Sequence, residues 1–452
     1  GRVGYSYDNR YSVQANFRAD AFDSSKLPAS NRWGYFPSVS AGWVISQEPW
    51  FKDNVKPVNY LKLRGSIGQL GNERIGSEFP YMASMNFGTS YMYDKSKNEV
   101  TALQNAAQVY YAFDDITWET TTTYGVGIDA AFFNQRLTLT ADYYYKKTDG
   151  ILMQLDIPST IGLNAPYQNA GVVVNNGWEV ALGYNNRWGD WSFGVQANLS
   201  DVINEITHME VPDTDGVLRN EQGYSIGSIY ALESMGIIRT QEEADWVNAN
   251  CPQYGQITKP GDLIYEDFNK DNKIDDSDKQ IMGSLIPRYT YGLTLNVGWK
   301  GINLSAQFQG VGMADAYISS YYTQPNVQGG TYRKEHLDRW TPETPNGKFP
   351  RMSMTSTNNT ATSSYWMGNA AYLRLKNLQL SYALPKNVVK RMKVKGLMFF
   401  ANATNLLTFS DYYEGYDPEN TFRSSGDGVV TGSIANNYPL VSTYTFGVEL
   451  KF

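Results

Sequence analysis

The sequence predicts an all-β protein, specifically the strands of a transmembrane antiparallel β-barrel, over 452 residues. Three observations carry that reading. Its strands have an apolar face with aromatics at both ends, its connections alternate between short and long, and its last strand ends on an aromatic.

The strand "RYTYGLTLNVGW" (288–299) shows the first. Tyr289, Tyr291, Leu293, Leu295, Val297 and Trp299 fall on one face, and Thr290, Gly292, Thr294, Asn296 and Gly298 on the other. Aromatics flanking aliphatics fit a lipid-facing strand that meets two interfaces. "WSFGVQANL" repeats the pattern with Trp191, Phe193, Val195, Ala197 and Leu199, and "YGVGIDAAF" with Tyr124, Val126, Ile128, Ala130 and Phe132. A soluble sandwich or propeller is the competing architecture. The abundance of Gly, Asn, Gln and Thr on the polar faces argues against it.

Thirteen spanning strands are expected near 1–7, 10–21, 35–46, 58–70, 120–133, 136–149, 171–186, 190–204, 288–299, 302–315, 372–384, 396–408 and 440–452. The short connections are "DN", "FNQR", "RWGD", "KG", 47–57 and "PKNVVKRMKVK"; the long ones cover 22–34, 71–119, 150–170, 205–287, 316–371 and 409–439. Short turns on the periplasmic side and long loops outside are the outer-membrane arrangement. "GSIYALESMGI" (227–237) is strand-like, but a spanning strand there would break the alternation, so it belongs inside a loop. At the end, Tyr444, Phe446, Val448, Leu450 and Phe452 alternate with polar residues to the last position, resembling the assembly signal of bacterial outer-membrane barrels.

Composition excludes other classes. A net charge of −7 argues against nucleic-acid binding. The single cysteine, Cys251, rules out an intrachain disulfide framework, and His208 and His336 leave little for histidine chemistry. No apolar run is long enough for a spanning helix. A count of 34 Tyr, 11 Trp and 40 Gly, at mean hydropathy −0.44, fits a soluble β-rich protein as well as strands that show lipid only at alternate residues, so composition alone does not choose between them. The opening "GRVGYSYDNRYSV" has no Met and no leader, as though the chain began within a strand.

Four phrases then acquire a family likeness: "NRWGYFPSVSAGWVISQEPWF" (31–51), "GDLIYEDFNKDNKIDDSDKQIMGSLIPRYTYGLTLNVGWKGINLSAQFQG" (261–310), "AAYLRLKNLQLSYALP" (370–385) and "FANATNLLTFSDYYEGYDPE" (400–419). In order, along essentially the whole chain, the sequence resembles the SusC/RagA family of TonB-dependent outer-membrane transporters of Bacteroidetes. That resemblance implies a barrel of about 22 strands with an N-terminal plug. It also implies a SusD-like surface lipoprotein, the TonB complex, the barrel-assembly machinery and outer-membrane lipid as partners. The implied function is import of oligosaccharides, with oligopeptides as the alternative cargo and a non-transporting adhesion or assembly barrel as a different class. Plug, TonB-contacting segment and about nine strands are not in these residues. Residues 1–452 are therefore expected to be the C-terminal part of the barrel domain of a longer chain.

No catalytic motif rises above background. "GQLGNERIG" and the Gly223/Gly227 pair lack the strand–turn–helix setting of a phosphate loop, and His336 has no nucleophile at a telling spacing. Aromatic stretches at 84–94, 317–340 and 409–417 suit rim packing, a lipoprotein contact or solute stacking. The basic turn 386–395 is expected to be periplasmic and solvated.

One loop has ligand spacing. "DFNKDNKIDDSD" (267–278) places Asp267, Asn269, Asp271, Asp275 and Asp278 at positions 1, 3, 5, 9 and 12 of a calcium-loop register, with the Lys273 carbonyl at position 7. Asn272 replaces the usual glycine and Asp278 the usual glutamate, and the flanks are strand and turn. A structural calcium in an external loop is the expectation, weighed against an acidic solvated turn.

Deleting Phe452, or the alternating 444–452 segment, is expected to cut outer-membrane levels of the protein far more than transport per molecule. Normal levels of the deletion variant, measured by immunoblot of outer-membrane fractions, would contradict the assembly-signal reading.

Overall fold

The computed structural model describes residues 1–22, 25–73, 78–109, 111–154, 158–318, 332, 334–353, 356–412, 416–419, 423–424, 430–431 and 440–452. A thirteen-stranded antiparallel sheet runs through it in strict chain order. Its strands are β1 (Arg2–Tyr7), β2 (Tyr11–Ala21), β3 (Trp33–Val44), β4 (Val58–Asn72), β5 (Glu119–Phe132), β6 (Leu137–Gln154) and β7 (Tyr167–Trp188), followed by β8 (Trp191–His208), β9 (Tyr289–Trp299), β10 (Ile302–Gly312), β11 (Tyr372–Ala383), β12 (Gly396–Ser410) and β13 (Thr443–Lys451). Each expected strand is present, with ends shifted by a few residues.

Tight turns set the register. Asp8 (φ 50°) and Asn9 (φ 53°) are both left-handed, as are Lys300 (φ 45°) and Gly301 (φ 91°), so the β1–β2 and β9–β10 hairpins use turns whose twist matches their strands. Two short connections hold helices instead: α1 (Pro49–Asn54) between β3 and β4, and α3 (Lys386–Arg391) between β11 and β12.

The chain divides into two compact units. The first is Gly1–Glu179 with Ile203–Pro212 and Glu221–Tyr224; the second is Val180–Val202, Asp213–Asn220 and Ser225–Phe452. In the first, exposed aromatics stack across strands at both ends: Tyr11 on Trp43 at 6.3 Å by the tight turns, and Phe17 on Tyr35 at 6.1 Å by the long connections. In the second, Trp191 faces Trp299 in register, with ring centroids 5.7 Å apart, at the tight-turn end. The aliphatic positions between lie on the same exposed faces, Val13 and Val39 among them.

The long connections fold. Met85–Asp94 pairs with Glu99–Gln108 as a separate hairpin in the first unit. In the second, Asp213–Asp215, Leu218–Asn220, Ser228–Ala231 and Gln280–Ser284 form a small sheet, and Ser234–Ile237 pairs with Leu263–Tyr265. The strand-like 227–237 segment thus stays out of the main sheet. Helix α2 (Gln241–Asn250) starts at Thr240, whose hydroxyl accepts from the Glu243 amide while Glu243 accepts from the Thr240 amide. Ile229, Leu232, Leu263, Ile274, Ile318 and Trp366 are the heart of a buried hydrophobic core formed by these loops.

In the first unit Phe36 is buried on the polar side, edge-on to Trp118 at 5.5 Å, and its ring covers Gly34 and Gly71. A Cβ at Gly71 would run into that ring. Gly71→Ala is expected to destabilise the intact protein by about 1–3 kcal/mol, read as a lower thermal midpoint. Phe36→Leu added to it should recover part of the loss, and an unchanged midpoint for Gly71→Ala would contradict the contact.

Candidate functional site

The polar side of the first unit is built by register. Ser12 lies opposite Gly42, Gly42 opposite Arg64, Arg64 opposite Gly127, and Gly127 opposite Asp142. Gly127 leaves space for the Arg64 guanidinium, and Gly42 for the Ser12 and Lys62 side chains. Arg64 Nε donates to Asp129 at 3.1 Å and Nη2 to Asp142 at 2.6 Å, while Thr140 donates to Asp129 at 3.3 Å. Beside this ion triad, Gln14, Ser40, Lys62, Ser66 and Glu179 line a cavity of about 690 Å³. Asn16 bridges Gln14 and Ser38 through bonds of 3.2 and 3.1 Å. Small residues, hydroxyls, the Gln14 amide, the ion-paired Arg64 and Asp142, and the Lys62 and Glu179 side chains make a wall rich in hydrogen-bonding groups.

At the tight-turn end Glu48 ties three elements together. It accepts from Arg10 Nη1 at 2.9 Å, Tyr11 Oη at 2.5 Å and Trp43 Nε1 at 3.0 Å, and is buried. The Tyr11 hydroxyl, then the indole and the guanidinium, hold its carboxyl below the usual carboxylate range.

In the second unit the loops are pinned by buried polar groups. Asp262 pairs with Arg351 at 2.7 Å and accepts from Asn359 at 2.8 Å. Arg374 is buried against Asp417 (2.7 Å) and Glu419 (2.5 Å), and Lys376 reaches the same Glu419 at 2.7 Å. Burial pushes the Tyr317 hydroxyl up to about 12 and raises that of Tyr265 as well. His336 is buried with its ring edge-on to Phe349 at 5.4 Å.

The aromatic stretches divide. Phe87, Tyr91 and Tyr93 stand exposed on the Met85–Asp94 hairpin strand, whereas Tyr317 and Tyr412 are buried in the loop core. Residues 319–331, 333 and 413–415 of the other two stretches lie outside the described residues.

The 267–278 loop gathers most of its expected ligands onto shared amides. Asp267 accepts from the amides of Asp271 (3.2 Å) and Asn272 (2.8 Å), and Asn269 from Asp271 (2.9 Å). Asp271 accepts from Lys273 (3.1 Å), and buried Asp278 from Asn269 (3.3 Å) and Asp275 (2.9 Å). Asn272 is left-handed (φ 63°), as its place in the register requires. Ile274 is fully buried and exchanges backbone bonds with Pro252 and Tyr254, fastening the loop to the core. Asp275 turns away: it caps a 3-10 turn at the Ser277 amide and binds Lys273 Nζ at 2.6 Å. Lys273, then that amide, holds its carboxyl at about 2. The Lys273 ammonium, 3.4 Å from Asp271 as well, enters the acidic cluster, a role invisible in the ligand spacing. Among the described residues no three His, Cys, Asp or Glu side chains are grouped as a metal site.

Tyr444, Phe446, Val448 and Leu450 share one exposed face of β13, and Phe452 follows it, exposed. The sheet, its aromatic-edged apolar face and its polar wall define an outer-membrane strand protein. Residues 1–406 match the family described as TonB dependent receptor-like, beta-barrel, and the chain belongs to that family. It is 29% identical to TonB-dependent receptor P26 of Formosa agariphila over 472 residues, covering 100% of this chain and 46% of that protein. It is 28% identical to TonB-dependent receptor SusC of Bacteroides thetaiotaomicron over 487 residues, covering 100% and 43%. Among solved structures, the RagAB peptide transporter shares the fold at a TM-score of 0.78 and 23% identity, over 100% of this chain and 46% of that one. The chain spans about half the length of these relatives.

Glu48→Gln is expected to lower the thermal midpoint of the intact protein at pH 7. A carboxyl held low in the folded state stabilises fully above the ordinary carboxylate range and loses that effect as pH falls through its folded value. Wild type and variant should therefore converge in acid. A gap that stays constant from pH 7 to pH 3 would contradict the assignment.

Proposed function

We propose that the intact protein is a TonB-dependent importer of the SusC type that carries oligosaccharides across the outer membrane. The observation that carries this reading is the polar wall of the first unit, where the Gln14 amide, serine hydroxyls and the ion-paired Arg64 and Asp142 line a cavity of about 690 Å³. A neutral, hydroxyl-rich solute would exchange water hydrogen bonds for these without stripping a charge. A SusD-like lipoprotein on the long-connection side and TonB on the other would be its partners, and the exposed alternation ending at Phe452 would be read by the barrel-assembly machinery. The second reading, oligopeptide import, is favoured by the fold shared with a peptide transporter.

Uptake of a fluorescent oligosaccharide by cells expressing the intact protein should require TonB and stop when the proton-motive force is collapsed. Energy-dependent uptake of peptides alone would reverse the cargo. Surface binding without uptake would favour an adhesion barrel. Protease added to intact cells should cut only within 71–119, 205–287, 316–371 and 409–439; cleavage within 385–395 would invert the orientation.

The 267–278 loop would hold one calcium as a brace. Asp267, Asn269, Asp271, Asp275 and Asp278 would supply side-chain oxygens and Lys273 its carbonyl, the ion replacing the Lys273 ammonium as counter-charge. External calcium is plentiful, so a weak site, roughly 10⁻⁴–10⁻³ M, would suffice. Asp271→Ala should make the loop protease-sensitive even in millimolar calcium, with membrane insertion unaffected. If calcium changes the protease sensitivity of neither protein, the loop is an acidic turn held by Lys273.

A further inference from the structure

We infer that the connection between β11 and β12 is a binding foot for anionic phospholipid headgroups. Residues 384–395 carry Lys386, Lys390, Arg391, Lys393 and Lys395 and no acid. All five are exposed, and none has an acidic partner among the described residues. Several cations elsewhere do sit on a carboxylate, Arg10, Arg64, Arg288, Arg351, Arg374 and Lys376 among them. In a chain of net charge −7, five unpaired cations in ten residues are a local excess, not general basicity.

Their neighbours place the charge at a lipid boundary. Helix α3 buries only Val389, while Val388 and Met392, four residues apart on one face, are exposed. Exposed aliphatics flanked by lysine and arginine are the pattern of an element lying in a membrane interface. The strands that α3 joins continue the same surface. Tyr382 lies opposite Phe399 in register, both exposed, with Leu380 next along the same face. Aromatics of this kind sit at headgroup depth. The apolar side chains of α3 would thus meet the acyl boundary while its cations meet lipid phosphates, with Arg391 able to bind one bidentately. A free phosphate would satisfy the cations but leave Val388 and Met392 in water, so the ligand is the lipid. Assigning it to the periplasmic leaflet rests on the orientation proposed above.

The test is a titration of the intact protein, in neutral detergent, with phosphatidylglycerol or phosphatidylcholine, bound lipids being counted by native mass spectrometry. Each cation near an anionic surface is worth about fivefold in affinity. Lys386→Gln, Lys390→Gln and Lys393→Gln together should weaken phosphatidylglycerol binding on the order of 100-fold, with phosphatidylcholine unchanged. The triple Lys→Arg variant should bind like wild type, and heat-modifiability on gels would show that each variant assembles. Met392→Gln should weaken phosphatidylglycerol binding and leave competition by inorganic phosphate unchanged. Undiminished phosphatidylglycerol binding in the triple Gln variant would overturn the proposal, as would inorganic phosphate displacing the lipid at equal concentration. A photo-crosslinker at position 390 that captures a periplasmic protein and no lipid would overturn it too. External cleavage of 385–395 would move the foot to the other leaflet, leaving the titration to judge the lipid itself.

Discussion

Hydrocarbon offers no hydrogen bonds, so each unpaired backbone N–H or C=O in it costs several kcal/mol, and everything else in this chain follows from meeting that demand. Thirteen strands answer it by pairing in chain order, each with its sequence neighbours. That order needs connections that reverse the chain within a few residues, hence the left-handed Asp8–Asn9 and Lys300–Gly301 turns. Once register is set, alternation decides which side chains face outward. It puts Trp191 against Trp299 on one face and Arg64 between Gly42 and Gly127 on the other.

Outside the strands water returns and the problem changes. A long connection there must hold a shape without a membrane to order it. In the second unit the solution is a core of its own, with Ile229, Leu232, Leu263 and Trp366 fully or nearly fully buried. Charges taken into it are matched, Asp262 by Arg351 and Arg374 by two carboxylates. Removing one partner of such a pair leaves a desolvated charge, so these pairs specify one loop arrangement even where their net stabilisation is small. The 267–278 loop is attached to the same core through Ile274.

The tight-turn end is organised differently. Glu48 gathers Arg10, Tyr11 and Trp43 into a closed polar knot, its charge matched by Arg10. At the β11–β12 connection cations are left open beside exposed Val388 and Met392. The contrast separates a junction whose partners are its own side chains from a surface whose partner is outside the chain.

Much of the fold was legible in the residues because a two-sided strand writes its environment into a period of two. Tyr289 to Trp299 announces a strand, its length and its aromatic ends before any neighbour is known. The capping box at Thr240 and Glu243 that starts helix α2 is a local signal of the same kind. The calcium-loop spacing of 267–278 was visible, whereas the Lys273 ammonium lying against Asp271 and Asp275 was not, since spacing says nothing about where a flexible side chain folds back. What the tertiary structure alone decided are the contacts across distance in sequence: Arg64 with Asp129 and Asp142, Arg374 with Asp417, Phe36 over Gly71. Local pattern determines which face a residue occupies. Only the register of strands and the packing of loops determines which residue it meets there.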